Sequence, residues 1–185
     1  MGFELAVWSS YSDNGIVIRS VDSGEADKFV SIITENHGLE SFLARGARRI
    51  TSKKASHLDM LNLVRFSVGR GVNPRFLNQV ESEVFFPAIK ADYAKIGLCL
   101  TFAEILNQLL PFDVEDREIY LSFKTFLETL ETTTGKKETN QLARRFGLFL
   151  MRHLGYPPPK FPDTDNLSGY FESIMSRKII STEIR

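Results

Sequence analysis

The sequence predicts an α+β protein, a small five-stranded β-barrel followed by a bundle of helices. From Gly15 to Phe85 the apolar residues come in five short runs divided by turn residues, and after Pro87 they recur every three or four positions instead. Charge is also divided unevenly. Eight Lys and Arg side chains fall between residues 41 and 80 against one carboxylate, Asp59, although the 185-residue chain is neutral overall with 23 basic and 23 acidic residues.

The first run, GIVIRSV, follows residues 1–14 (MGFELAVWSSYSDN), which read as an extension in front of the barrel, with Trp8 either packed on it or exposed. KFVSIIT and LESFLA come next, and Asn36-His37-Gly38 between them has the composition of a tight hairpin turn. In the fourth run, LDMLNLVRFSV, Leu58, Met60, Val64, Phe66 and Val68 share one face, interrupted at Asn62, and Asp59, Arg65 and Ser67 share the other. This alternation predicts one half-buried strand from Leu58 to Val68. Gly69-Arg70-Gly71 marks the turn to the fifth run, RFLNQVESEVFF. Five short antiparallel strands lose their edges by closing, and the OB-type barrel is the common five-stranded solution.

Beyond Pro87 the stripe Ile89, Tyr93, Ile96, Leu100, Ala103, Leu106 and Leu110 predicts one helix, ended by Pro111. Asp113, Glu115 and Asp116 favour the N-terminus of a second, which carries Ile119, Phe123, Phe126, Leu127 and Leu130. A turn around Gly135 leads to a third helix with Leu142, Phe146, Phe149, Leu150 and Leu154, stopped at Gly155 before three prolines. Leu167, Tyr170, Phe171, Ile174 and Met175 form a last short amphipathic stripe. The expected division is an OB-fold DNA-binding domain over residues 1–86 and an all-α helical domain over residues 87–185.

Composition excludes several classes of function. No apolar run reaches the length of a membrane span and no secretory signal pattern opens the chain, so a cytoplasmic protein is expected. Cys99 is the sole cysteine, in an apolar setting, and reads as a buried structural thiol. His37, His57 and His153 have no second ligand at metal spacing, and no nucleophile elbow, phosphate-cradling loop or matched acid pair is present. Glu104, within the first helix, reads as a helix-edge carboxylate paired with a basic neighbour. Neither an enzyme nor a cofactor or metal is expected.

Binding is the better reading. FLARGARRITSKK delivers Arg45, Arg48, Arg49, Lys53 and Lys54 directly after the third strand, and Arg65, Arg70 and Arg75 lie on the strands and turns beyond it. Clustered cations on a small barrel suit a polyanion. Phe42, Phe66 and Phe76 are the candidate stacking aromatics, and each reads as packing rather than platform. Charge without stacking implies binding that is indifferent to sequence and falls steeply with salt. Two alternatives share the pattern: a protein-interaction adaptor with a soluble basic edge, and an OB-type RNA-binding factor.

GIVIRS, GEADKFVSIITENHG, LARGARR and a fourth strand ending in GRG, followed by LTFAEILNQLLP and LARRFGLFLMRHLGYPP, resemble the bacterial recombination mediator family RecO from about Gly15 to Pro158. The resemblance implies a non-enzymatic DNA-repair protein, associated with the nucleoid, that binds single- and double-stranded DNA and anneals complementary strands. With RecR it would help load RecA onto strands coated by the single-stranded-DNA-binding protein SSB. It implies DNA contacts at Arg45, Arg48 and Arg49, continuing into Lys53 and Lys54. It also implies a site between helices for the acidic, Phe-ending tail of SSB near Arg144, Arg145 and Phe146. Helical angle places Arg145 and Arg152 beside Phe146 and turns Arg144 away. Three features depart from the family. Residues 157–166 hold no cysteine where many members carry a zinc module, the C-terminal region is short, and residues 1–14 have no evident counterpart.

Overall fold

A computed structural model describes residues 10–69, 75–157, 167–175 and 179. Five strands, β1 (Tyr11–Ser23), β2 (Asp27–Thr34), β3 (Leu39–Ala44), β4 (Leu63–Val68) and β5 (Arg75–Val84), close into a barrel in the order β1-β2-β3-β5-β4. Four of the five pairings are antiparallel, but β3 runs parallel to β5, with Phe42 opposite Arg75 and Leu43 opposite Phe76. That one parallel seam closes the barrel and corrects the expectation of an all-antiparallel sheet.

β1 begins four residues before the first apolar run. Tyr11, Ser12, Asp13 and Asn14 pair with Val68, Ser67, Phe66 and Arg65 of β4, so the end of the expected extension is barrel wall. Residues 1–9, including Trp8, lie outside those described. β1 is long because it serves two neighbours, β4 through its first half and β2 through its second. At Gly15, where they meet, a Cβ would fall 2.3 Å from Ile32 Cγ2, a gap only glycine allows.

The fourth run is not one strand. Ala55–Leu58 forms a 3₁₀ turn, Leu61 takes φ 69°, and the strand starts only at Leu63. Buried Asn62 explains the break, because its amide donates to the carbonyls of Ser56 and His57 at 3.1 Å and to Ser82 Oγ at 3.3 Å, which holds the turn against β5. Local side-chain hydrogen bonding here outcompetes the period-2 pattern.

The helices are α1 (Pro87–Ala91), α2 (Tyr93–Leu109), α3 (Arg117–Thr132), α4 (Lys136–His153) and α5 (Leu167–Met175). The stripe from Ile89 breaks at Asp92, whose carboxylate caps α2 by accepting from the N–H groups of Ala94 and Lys95. Tyr93, placed on that stripe by spacing, is 95% exposed. Glu131 of α3 caps α1 in turn, accepting from Ala88 and Ile89 at 2.8 and 2.9 Å. The acidic cluster before α3 supplies its cap through Asp116, which accepts from Ile119 N–H.

Two cores result. Val17, Val30, Ile32, Phe42, Phe66 and Leu77 fill the barrel. The second core joins the outer face of the barrel at Ile16, Ile18, Ile33 and Leu39 to Phe102, Phe123, Phe126 and Phe146 of the helices. Each of those four aliphatic side chains contributes about 1.5–3 kcal/mol when fully buried, so the helices are welded to the barrel rather than hinged on it. The β2–β3 turn seats the α2–α3 connection as well. Gly38, at φ +75°, lies so close to Val114 that a Cβ would meet its carbonyl oxygen at 1.8 Å, and Asp113 N–H donates to Leu39 O at 2.9 Å.

Candidate nucleic-acid interface

The basic turn after β3 is a built element. Gly46 adopts φ +66° and donates its N–H to Asp27 Oδ1 at 2.8 Å, while Arg48 N–H donates to Ala26 O at 2.9 Å. Ala47 is wholly buried in the barrel core, so its neighbours project outward. Arg45, Arg48, Arg49 and Lys53 are exposed on this turn, with Ile50 standing free at its tip. Arg48 also reaches the β1–β2 hairpin, donating to Gly24 O at 2.8 Å and pairing with Asp22 at 3.2 Å. The turn is thereby fastened beside that hairpin, and the Asp22 and Asp27 carboxylates are occupied in holding it.

The remaining predicted contacts divide. Lys54 is half-buried and donates to Leu77 O at 2.8 Å, and burial lowers the pKa of its amine. Arg65 is exposed on β4 and lies opposite Glu81, a residue of opposite charge, in the β4–β5 ladder. Arg70 lies outside the described residues. Arg75 is withdrawn from the expected groove. It bonds buried Glu40 and, at 2.8 Å, Asp113, in a network at the barrel's end where Tyr11 also donates to Glu40 at 2.6 Å. A strand position next to the basic cluster did not reveal that commitment, because Glu40 and Asp113 are distant in sequence.

Desolvation pushes the Glu40 carboxyl above its usual pKa, and the Tyr11 hydroxyl and Arg75 guanidinium pull it down without cancelling that effect. A folded-state pKa above the unfolded one gives stability that is complete below the unfolded pKa and lost as pH rises through the folded value. Arg75→Gln leaves the carboxylate without its cation. The variant is therefore expected to be about 3 kcal/mol less stable at pH 8, with the deficit shrinking towards pH 5, as urea unfolding at the two pH values will show.

The aromatic side chains are sorted by the fold. Phe42 and Phe66 pack on each other inside the barrel with centroids 5.3 Å apart, as expected of both. Phe76 faces outward, half-buried, with the Arg45 guanidinium carbon 3.8 Å from its ring centroid. Sequence reading missed Phe29, which is 38% exposed on β2. Its signal was its alternation with buried Val30 and Ile32, obscured by buried Ser31 and Ile33 on its own face.

On the helical side, Arg145, Phe146 and Phe149 of α4 and Leu121, Thr125 and Phe126 of α3 line an open groove of about 300 Å³. Arg144 lines a separate hollow of about 480 Å³ with Lys136 and Lys137. Arg152 is exposed further along α4 and belongs to the lining of neither. The three predicted arginines thus occupy three places, and of these two hollows the apolar one between helices adjoins Arg145.

Folding also brings to two histidines a carboxylate from a distant part of the chain. His37 Nδ1 lies 2.8 Å from Asp13, and His153 Nε2 lies 2.7 Å from Asp116. Among the described residues no group of three or more His, Cys, Asp or Glu is placed to hold a metal, and no helix is long and apolar enough to cross a membrane. Burial pushes the Cys99 thiol far above its usual pKa, which disfavours the reactive thiolate.

Two family models match this architecture, Recombination protein O N terminal over residues 9–85 and Recombination protein O C terminal over residues 90–160. The first begins ahead of Tyr11, so residues 9–14 have a family counterpart after all. The chain is 29% identical over 148 residues to a DNA repair protein RecO of Roseiflexus sp. (strain RS-1), covering 80% of this chain and 51% of that protein. It is 30% identical to the protein of the same description from Rubrobacter xylanophilus, covering 80% and 58%, and 34% identical over 107 residues to that from Cutibacterium acnes, covering 57% and 44%. The chain spans about half the length of the curated relatives it matches. With a closed barrel under the first model and helices under the second, the chain belongs to the RecO family.

Proposed function

We propose that this chain is a non-enzymatic DNA-repair factor. It binds single- and double-stranded DNA without sequence preference, anneals complementary strands and, with RecR, helps load RecA onto SSB-coated DNA in the RecFOR pathway. It acts in the cytoplasm, at the nucleoid. The observation that carries this reading is the turn that holds Arg45, Arg48, Arg49 and Lys53 exposed beside the β1–β2 hairpin of the barrel. Exposed cations on a fixed turn suit a phosphate backbone and require no particular base. Names of the similar proteins supply the repair setting.

The α3–α4 groove suits the acidic tail of SSB, since Phe146 and Phe149 give an apolar floor and Arg145 a cation at its edge. Arg145 is the tail contact in this reading, and Arg144 and Arg152 serve only if the peptide extends beyond the groove.

A salt titration of single-strand binding, run with and without a peptide of the acidic, Phe-ending kind, tests both parts. DNA affinity is expected to fall linearly with salt on logarithmic axes. Arg145→Glu is expected to weaken the peptide about tenfold by replacing a charge-assisted bond with repulsion, and to leave DNA binding unchanged. Single-strand affinity insensitive to salt would reject the DNA reading, and a peptide indifferent to Arg145 would reject the groove.

A further inference from the structure

The outer wall of the barrel carries an apolar row that neither core uses. Strand pairing aligns Val21 with Phe29, Phe29 with Leu43, and Leu43 with Phe76, one residue from each of β1, β2, β3 and β5. Val21 is 36% and Phe29 38% exposed, and Leu43 and Phe76 are partly open. The row lies directly below the basic turn, because Arg45 follows β3 and stacks on Phe76 while Arg48 is tied to the hairpin that carries Val21 and Phe29. Exposed aromatic faces under a cationic rim are complementary to one ligand in particular, a strand with charged phosphates and uncovered base faces.

We infer that Phe29 and the Arg45–Phe76 stack form a platform for two unpaired bases. The inference rests on the DNA-binding reading above and adds to it a means of telling single strands from duplex. Phe29 takes one base directly, and Arg45 presents the outer face of its guanidinium to the other. The two positions are two strand spacings apart, about 9.6 Å. Bases in a duplex are stacked at about 3.4 Å with their faces covered, so only a strand with splayed bases fits.

Fluorescence anisotropy with two labelled strands of equal length, one oligothymidine and one an abasic backbone, separates base contact from phosphate contact. The chain is expected to bind oligothymidine about tenfold more tightly than the abasic strand at the same salt. Phe29→Ala, which disturbs neither core, and Arg45→Lys, which keeps the charge but loses the plane, are each expected to abolish most of that preference. Phe29→Ala, the variant that lies outside the basic turn, should hold affinity for the abasic strand and for duplex to within about twofold. Equal binding of the two strands by the unmodified chain, with normal salt dependence, overturns this inference and leaves the DNA reading standing, as does a variant that weakens both strands alike. No binding of either strand at low salt overturns both.

Discussion

Replacing Arg48 and Arg49 together by glutamate is expected to lower single-strand affinity by about 60-fold at 50 mM salt. Each phosphate contact to a single strand releases about 0.7 of a counterion, which is about 0.9 of a decade at that salt, and the turn loses two contacts. The slope of log affinity against log salt should become shallower by about 1.4, and duplex binding should fall in parallel because phosphates are common to both. Stability is a weak confounder. The Arg48–Asp22 pair is solvent-exposed on both sides, Arg49 forms no ion pair among the described residues, and exposed pairs contribute about 0–1 kcal/mol. Arg49→Glu alone provides the cleaner half-effect. If the double variant bound DNA as the unmodified chain does, the turn would be a soluble edge and the adaptor reading would replace this one.

Phe123→Ala is expected to be the most damaging single change to the fold. Phe123 is fully buried, stacked against Phe126 and Phe146 with centroids 6.2 and 5.6 Å apart, and belongs to the core that also holds Ile16 and Ile33 of the barrel. A Phe→Ala cavity of this kind costs about 3–5 kcal/mol, which lowers the melting temperature by about 10 °C in a chain of this size. Because the second core spans both halves, β1 amides should lose hydrogen-exchange protection together with those of α3. Loss confined to the helices would show that the barrel folds independently and that the shared core contributes little to its stability.

Much of the fold was legible because it depends on near neighbours. Four of the five strands follow the apolar runs, and the helix starting at Arg117 follows the acidic cluster before it. The failures are informative in the same terms. Leu58–Val68 alternates like a strand, but Asn62 recruits the carbonyls of Ser56 and His57 and turns the backbone instead. The Ile89 stripe is continuous in spacing, yet Asp92 caps a new helix within it. In both, one short polar side chain overrides a pattern spread over ten or more residues.

By itself the sequence determined that cations cluster after the third strand and that the chain changes from strand to helix near Pro87. Those are properties of composition and period. Only the tertiary structure decided which of the clustered cations are available and which aromatic faces are bare. Arg75 is held by Glu40 and Asp113, 35 and 38 residues away, so the carboxylates that claim it could not be read from its surroundings in the chain. Phe29 and Ile33 have the same parity and both face out of the barrel, but the helices cover the end of the sheet that holds Ile33 and leave the end that holds Phe29 open. Alternation fixes the face on which a residue lies, whereas what covers that face depends on where the rest of the chain packs.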